Sequence, residues 1–388
     1  MLLGLTTGLL GCCHSIVAAP YYRWRIKANL RSASAFEGGH FAVPGGIPTL
    51  HIYGTPTEMG RQYGGALKPA LRNLHHYLRC VLPRDMRERL TAAAMQEEPY
   101  LPEEIREELH QISTASNMPY EELVALNTLV RIHCSALATY GPATHDGRMI
   151  MGRNAEYFGF GLGDRGSLLV VYHPTDGIPI AAASFLGMAG AYTGVNARGV
   201  AFGNMLVFNA SDDRTNPKGL PIQIAMRLAA QRANSASEMA SRLIRMPRKI
   251  PINVMIADAH EALALELGLR RSSQRKGKDG TLAMSNFFRD PALAAGGAAP
   301  YCERYESLLA SAADREGRFS VEDMETALHR ARLRYGPKRK DLNLQCVVFE
   351  PEAMRMHLSL NRVPASAGPF STVDLNALFD APREASGE

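Results

Sequence analysis

Residues 134–157 read CSALATYGPATHDGRMIMGRNAEY, and how this stretch folds back on itself decides the architecture. Ser135 to Tyr140 is a run of small residues that reads as a strand. His145-Asp146-Gly147-Arg148 then turns the chain into a second apolar run, Met149 to Asn154. Asp-Gly between two such runs is a strong local hairpin signal. The segment just upstream, MPYEELVALNTLVRIH (118–133), has helical spacing and an acidic first turn at Glu121. The period therefore changes from helix to strand at Cys134.

Upstream the pattern stays mainly helical. A short strand, Thr49 to Tyr53, ends at Gly54-Thr55-Pro56, and the next residues open a capped helix whose Gly60, Gly64 and Gly65 permit close backbone approach. LPEEIREELHQISTASN (101–117) is a further helix. Downstream, strands are expected at Ser167–His173, Ile180–Phe185, Tyr192–Val195 and Gly199–Asn204, with a turn at Asn196–Gly199. Helical spacing runs from 219 to 245. Strands follow at 252–258 and 263–267, helices at 301–312 and 321–333, and strands at 344–349 and 356–360. Strand groups alternate with helix groups, without the strict rhythm of a parallel sheet. The fold class is α+β, with stacked antiparallel sheets and helices outside.

The bulk numbers exclude several function classes. A net charge of +5, from 43 Lys+Arg against 38 Asp+Glu, is too small to argue for nucleic acid. The densest basic stretch, Arg270 to Lys278, reads as a solvated loop. Six cysteines without a CxxC pair indicate neither a zinc site nor a disulfide framework, and no metal or organic cofactor is implied. Residues 2–19 are almost wholly apolar and lead into Tyr21, Tyr22, Arg23, Trp24 and Arg25. A membrane anchor, an export signal without the usual basic start, a lipid-modified Cys12, a mis-assigned start codon and a buried apolar segment all fit. Residues 1–35 are therefore set aside as a signal- or anchor-like segment with its linker, with membrane contact expected through 2–19. An exported or anchored location is favoured, and a cytoplasmic one follows if the start is mis-assigned.

A thiol with an ordinary pKa near ~8.5 needs a base or a cationic neighbour to become nucleophilic at neutral pH. His133 is adjacent in sequence, but neighbouring strand residues point to opposite faces. If the His133–Cys134 bond is cut, the freed amine of Cys134 has a pKa near ~8 and can take the thiol proton itself. One residue then supplies nucleophile and base.

Here a resemblance becomes specific. The 134–157 hairpin resembles the nucleophile hairpin of the isopenicillin N (acyl-CoA:6-aminopenicillanate) acyltransferase-like family of N-terminal-nucleophile hydrolases. It is more distantly similar to that of choloylglycine hydrolases and acid ceramidases. LHIYGTPTEMGRQYGGAL (50–67), FLGMAGAYTGVNARGVAFGNM (185–205), AMSNFF (283–288), YCERYESLL (301–309) and NLQCVVFEP (343–351) look like further family motifs in the family's order. The resemblance spans residues 48 to 375 and implies an αββα sandwich. It also implies a helical propiece, 36–133, retained beside a catalytic core, 134–388, after self-cleavage.

The implied roles attach to individual residues. Cys134 is nucleophile and base, Arg153 favours its thiolate, and Glu156 holds the new ammonium. Asn204 and Asn286 aim amides at the oxyanion, and Arg304 binds near the acid or organises the pocket. The implied substrate is a small acyl amide or acyl-CoA-type thioester, hydrolysed or passed to an amine. The family usually has Asp where this chain has Glu156, which adds a methylene to the anchor. A membrane-tethered binding protein that keeps the fold without processing is the rival reading, and this departure is its support.

Overall fold

The computed structural model describes residues 18–129, 133–157, 161–212 and 214–383. Strand β3 (His133–Thr139) is buried on both faces from Cys134 onward. That explains a run of small apolar residues in place of strict alternation. Its Cys134, Ala136 and Ala138 point into one hydrophobic layer, and Leu137 points into another. Strand β4 (Ile150–Glu156) returns antiparallel, with Cys134 opposite Ala155 and Ala136 opposite Arg153. The connection is longer than a tight hairpin. Residues 140–149 include a 3-10 turn at Gly141–Ala143, and Asp146-Gly147 forms one corner, with Gly147 at φ 78°.

Two sheets stack. The six-stranded sheet runs β12 (Thr281–Met284), β3, β4, β15 (Asn343–Glu350), β16 (Arg355–Leu360) and β17 (Ser371–Asp374). The nine-stranded sheet runs β1 (His40–Ala42), β2 (Thr49–Gly54), β5 (Ser167–Pro174), β6 (Ile180–Phe185), β7 (Thr193–Asn196), β8 (Ala201–Leu206), β9 (Ile252–Ala257), β10 (Ala262–Leu267) and β11 (Ser272–Lys276). A small ladder pairs β13 (Arg334–Tyr335) with β14 (Lys340–Asp341). Among the described residues, all pairings between these strands are antiparallel except one. β2 lies parallel to β5, so residues 40–54 add strands β1 and β2 to the edge of the larger sheet.

Helices cover both outer faces. The larger sheet is covered by α1 (18–29), α2 (Pro56–Ala66), α3 (Lys68–Val81), α4 (Arg84–Glu97), α5 (Glu103–Ser116), α6 (Tyr120–Thr128), α7 (Ile222–Ala230) and α8 (Ala236–Arg245). The smaller sheet carries α9 (Glu303–Ala313) and α10 (Val321–Arg330), while α11 (Leu375–Phe379) caps the edge at β5 and β6. Three hydrophobic layers result: helix on sheet, sheet on sheet, and sheet on helix. This is the expected αββα order.

Local chemistry sets several of these elements. Thr55 and Glu58 form a reciprocal capping box at α2, with Pro56 at the first helical position. Gly60 and Gly64 face α5 so closely that an added Cβ would lie 2.4 Å from the Glu108 carbonyl and 2.7 Å from that of Ile112. Gly65 instead faces Phe36.

Three expectations change. The basic stretch 270–278 contains edge strand β11, whose side chains alternate between exposed and half-buried, and charge on an edge strand discourages further pairing. The 219–245 spacing covers two helices, because Ser235 caps a new one by accepting from the Glu238 amide. Residues 18–29, set aside as a linker, form α1, and Ile26 and Leu30 are buried in the helix-side core. Most of the apolar stretch 2–19 lies outside the described residues. Among those described, no helix is long and apolar enough to cross a membrane.

Candidate active site

Cys134 and Arg153 leave the same face of the six-stranded sheet, two pairs apart in register, and enter the dry layer between the sheets. Arg153 Nη2 donates to Cys134 Sγ at 2.7 Å and to the Asn204 carbonyl at 2.9 Å. Its Nη1 donates to Thr193 Oγ1, so β7 and β8 hold the guanidinium from the opposite sheet. Gly203 makes room for it, since a Cβ there would fall 2.6 Å from Arg153 Cδ.

Burial pushes the Cys134 thiol up to about 11. The Arg153 guanidinium pulls it down, and the Glu156 carboxylate adds to the rise. In the uncut chain, desolvation therefore outweighs the cationic neighbour. His133 lies on the other face, its ring 4.8 Å from that of Phe208, and burial holds its pKa below the ordinary value. It is turned away from the thiol.

Glu156 also projects from the outer face, opposite His133 in register. Its Oε2 receives Arg304 Nη1 at 2.5 Å, and its Oε1 accepts from the Leu333 amide just after α10. Burial raises its pKa and Arg304 opposes that rise. Arg304, in the first turn of α9, also donates to the Cys134 carbonyl at 3.1 Å and to Asn286 Oδ1.

Asn286 is oriented differently from the expected oxyanion donor. Its Nδ2 donates to the Leu206 carbonyl, while Oδ1 accepts from the Cys134 amide at 3.4 Å. The acceptor end of this amide therefore faces the nitrogen that cleavage would free, in the position expected of Glu156. The Leu206 carbonyl and Arg304 fix that orientation, since a flipped amide would oppose donor to donor and acceptor to acceptor. Asn204 is buried, with Oδ1 at 3.5 Å from Arg153 Nη2.

The structure brings all six expected residues to one end of the sandwich and adds groups that sequence reasoning did not single out. Thr193 seats Arg153, and Tyr192 is buried near both Cys134 and Arg153. A cavity of about 220 Å³ opens at the same end, lined by Leu74, Leu78, Leu126, Phe185, Met188 and Tyr157 among others. Tyr157 directly follows Glu156, which places the cavity wall beside the last pair of the β3–β4 ladder. Helical periodicity marks these leucines as apolar, but nothing local distinguishes a cavity wall from core.

The αββα sandwich thus sets Cys134, the second residue of its strand, against the buried Arg153 between the two sheets. Residues 143–363 match the family described as acyl-coenzyme A:6-aminopenicillanic acid acyl-transferase, and the chain belongs to that family. The matched span includes Arg153, Glu156, Asn204, Asn286 and Arg304, and Cys134 lies before its first residue. Protein dcd1B of Dictyostelium discoideum is 25% identical over 259 residues, which is 58% of this chain and 51% of that protein. The chain thus spans about half the length of that relative. Among solved structures, penicillin V acylase from Agrobacterium tumefaciens is similar at a TM-score of 0.47 and 12% identity, over 63% of this chain and 87% of that one. The Caenorhabditis elegans ortholog of N-acylethanolamine-hydrolyzing acid amidase is similar at 0.44 and 15%, over 56% and 93% respectively.

Proposed function

We propose that this chain cuts itself between His133 and Cys134 and then hydrolyses or transfers an acyl group through a Cys134 thioester. The observation that carries this reading is the 2.7 Å contact from Arg153 Nη2 to Cys134 Sγ at the start of a strand. A helical propiece ends just before that strand.

In self-cleavage the Cys134 sulfur attacks the His133 carbonyl carbon and the C–N bond breaks. The nitrogen takes the thiol proton, leaving a thioester and a free amine. Water then hydrolyses the thioester, giving a His133 carboxylate and restoring the thiol. During turnover the freed amine takes the thiol proton, and the thiolate attacks the substrate's amide or thioester carbonyl. The oxyanion accepts from Asn204 Nδ2, a kind of contact that typically stabilises the transition state by ~3–4 kcal/mol. The leaving group departs with the proton from the Cys134 ammonium, and water or an amine acceptor then resolves the acyl-enzyme. Asn286 Oδ1 orients the new amine, while Arg304 and Glu156 act together to fix Asn286 and the Cys134 carbonyl.

The cavity beside Tyr157 suits the apolar part of the substrate. Desolvation that holds the thiol high in the uncut chain is relieved when residues before Cys134 separate and water reaches the sulfur. Glu156 is accommodated in place of the family's usual Asp, because Arg304 and the Leu333 amide engage both its oxygens.

The test is incubation of processed protein with a panel of N-acyl amides and acyl thioesters, with and without an amine acceptor. Mass analysis of the Cys134 peptide should reveal an acyl adduct absent from Cys134→Ala. Turnover without any Cys134 adduct, or equal turnover by Cys134→Ala, would overturn the reading.

A further inference from the structure

Residues 187–191 form the stretch of chain that leads into Tyr192 and Thr193, and polar groups of the propiece hold its first three residues together with groups from later in the chain, among them the Tyr172 hydroxyl, which donates to the Ala189 carbonyl at 3.2 Å. Tyr63 of α2 presents its hydroxyl oxygen to the Gly187 amide at 2.9 Å. Asn127 of α6 donates Nδ2 to the Gly187 carbonyl at 2.9 Å and accepts from the Ala189 amide at 2.8 Å. Its second Nδ2 hydrogen goes to the Leu123 carbonyl, so this fully buried amide has every side-chain donor and acceptor engaged. Core residues complete the frame. Arg227 Nη1 donates to the Ala189 carbonyl, the Ala191 amide donates to the Gln223 carbonyl, and Gln223 Nε2 donates to the Asn127 carbonyl.

From this stretch the contacts lead directly to the thiol. Thr193 Oγ1 accepts from Arg153 Nη1, and Arg153 Nη2 donates to Cys134 Sγ. Met188, midway along the loop, also lines the cavity and packs in the layer that contains Cys134. α6 ends at Thr128, whose carbonyl accepts from Lys249 Nζ. The end of α6 is therefore tied to the core before the proposed cut.

We propose that Asn127 and Tyr63 are positioning residues for the thiol site. They clamp residues 187–189 so that Thr193 seats Arg153 against Cys134, which makes the retained propiece part of the site's machinery as well as its packing. This rests on the proposed function above. The physical reason is that buried backbone groups must be satisfied. Removing the Asn127 amide strands the Gly187 carbonyl and the Ala189 amide, and the cheapest relief is for the loop to move. Movement there is passed to β7 and to the hydroxyl that fixes the guanidinium.

The experiment compares full-chain wild type, Asn127→Ala, Tyr63→Phe and Leu123→Ala, the last removing buried packing on α6 beside Gly187 but no hydrogen bond to the loop. Residue-resolved amide exchange should lose protection from 187 through 196 in Asn127→Ala, and to a smaller degree in Tyr63→Phe, but not in Leu123→Ala. The alkylation midpoint of Cys134 should rise by about one pH unit in the same two variants. Tyr63→Phe keeps ring and volume, and it decides the matter if Asn127→Ala does not fold. Loss of protection that stops at 189, or an unmoved midpoint in a reactive thiol, overturns the clamp. A wild-type thiol inert to alkylation at every pH counts against the proposed function alone, and the exchange pattern still decides the clamp.

Discussion

Arg153 and Cys134 stand on neighbouring strands, two pairs apart in register, with guanidinium nitrogen and sulfur 2.7 Å apart in a layer from which water is excluded. Removing the guanidinium removes the main influence that opposes burial of the thiol. In Arg153→Ala the alkylation midpoint of Cys134 should move to higher pH by a unit or more, read as iodoacetamide rate against pH. An unchanged profile would remove Arg153 from the site.

Gly203 offers a second route to the same contact without touching either partner. A Cβ there would meet Arg153 Cδ at 2.6 Å, and the buried side chain has no room to retreat. Gly203→Ala should fold with a loss of about 1–3 kcal/mol and self-cleave more slowly than wild type. Denaturant titration and a cleavage time course check the two parts, and wild-type cleavage would mean the guanidinium can move freely.

Stability should fall on acidification through groups remote from the thiol. His51 Nδ1 lies 3.2 Å from His173 Nε2, His40 stands on the other side of His51, and Tyr53 stacks on His173. Burial, with His173 and His40 adding to it, lowers His51 to about 3, and burial lowers His173 to about 4. Both values lie below the ordinary ~6.5, so the unfolded chain binds protons that the folded one refuses. Their contribution is complete above about pH 6.5 and is lost as pH falls toward 3. Melting temperature against pH should therefore drop across that window, and more gently in His51→Gln; an equally steep drop in the variant would assign it to other groups.

The two fragments should stay together after cleavage. Gly60 and Gly64 bring α2 against α5, and the buried Arg227–Glu108 pair joins α5 to α7 at 2.7 Å. Breaking a buried pair by removing one partner costs ~3–5 kcal/mol, so Glu108→Ala should loosen the association markedly. Native size exclusion should show wild-type fragments co-eluting, separating only in denaturant. Recovery of active 134–388 alone would contradict this.

Much of this fold is legible locally, and what is missed depends on distant contacts. β6, β9 and β10 fall within a residue of their expected limits, because buried β-prone runs bounded by turns carry their own signal. β11 was hidden because an edge strand with Arg275 and Lys276 has the composition of a solvated loop. The parallel partnership of β2 with β5 joins residues more than a hundred positions apart, and no local pattern names such a partner. At the site, Cys134, Arg153 and Asn204 lie together in the structure. The orientation of Asn286 depends on the Leu206 carbonyl, and the role of Thr193 on a contact across two sheets. Residue type alone could reveal neither.

The most direct measurement is the intact mass of the purified wild-type chain under denaturing conditions, beside that of Cys134→Ala. Cleavage at His133–Cys134 predicts two wild-type masses, one of them residues 134–388 beginning with an unmodified cysteine, and a single full-length mass for Cys134→Ala. A wild-type protein that is uncut and yet hydrolyses or transfers acyl groups would contradict the account at its centre.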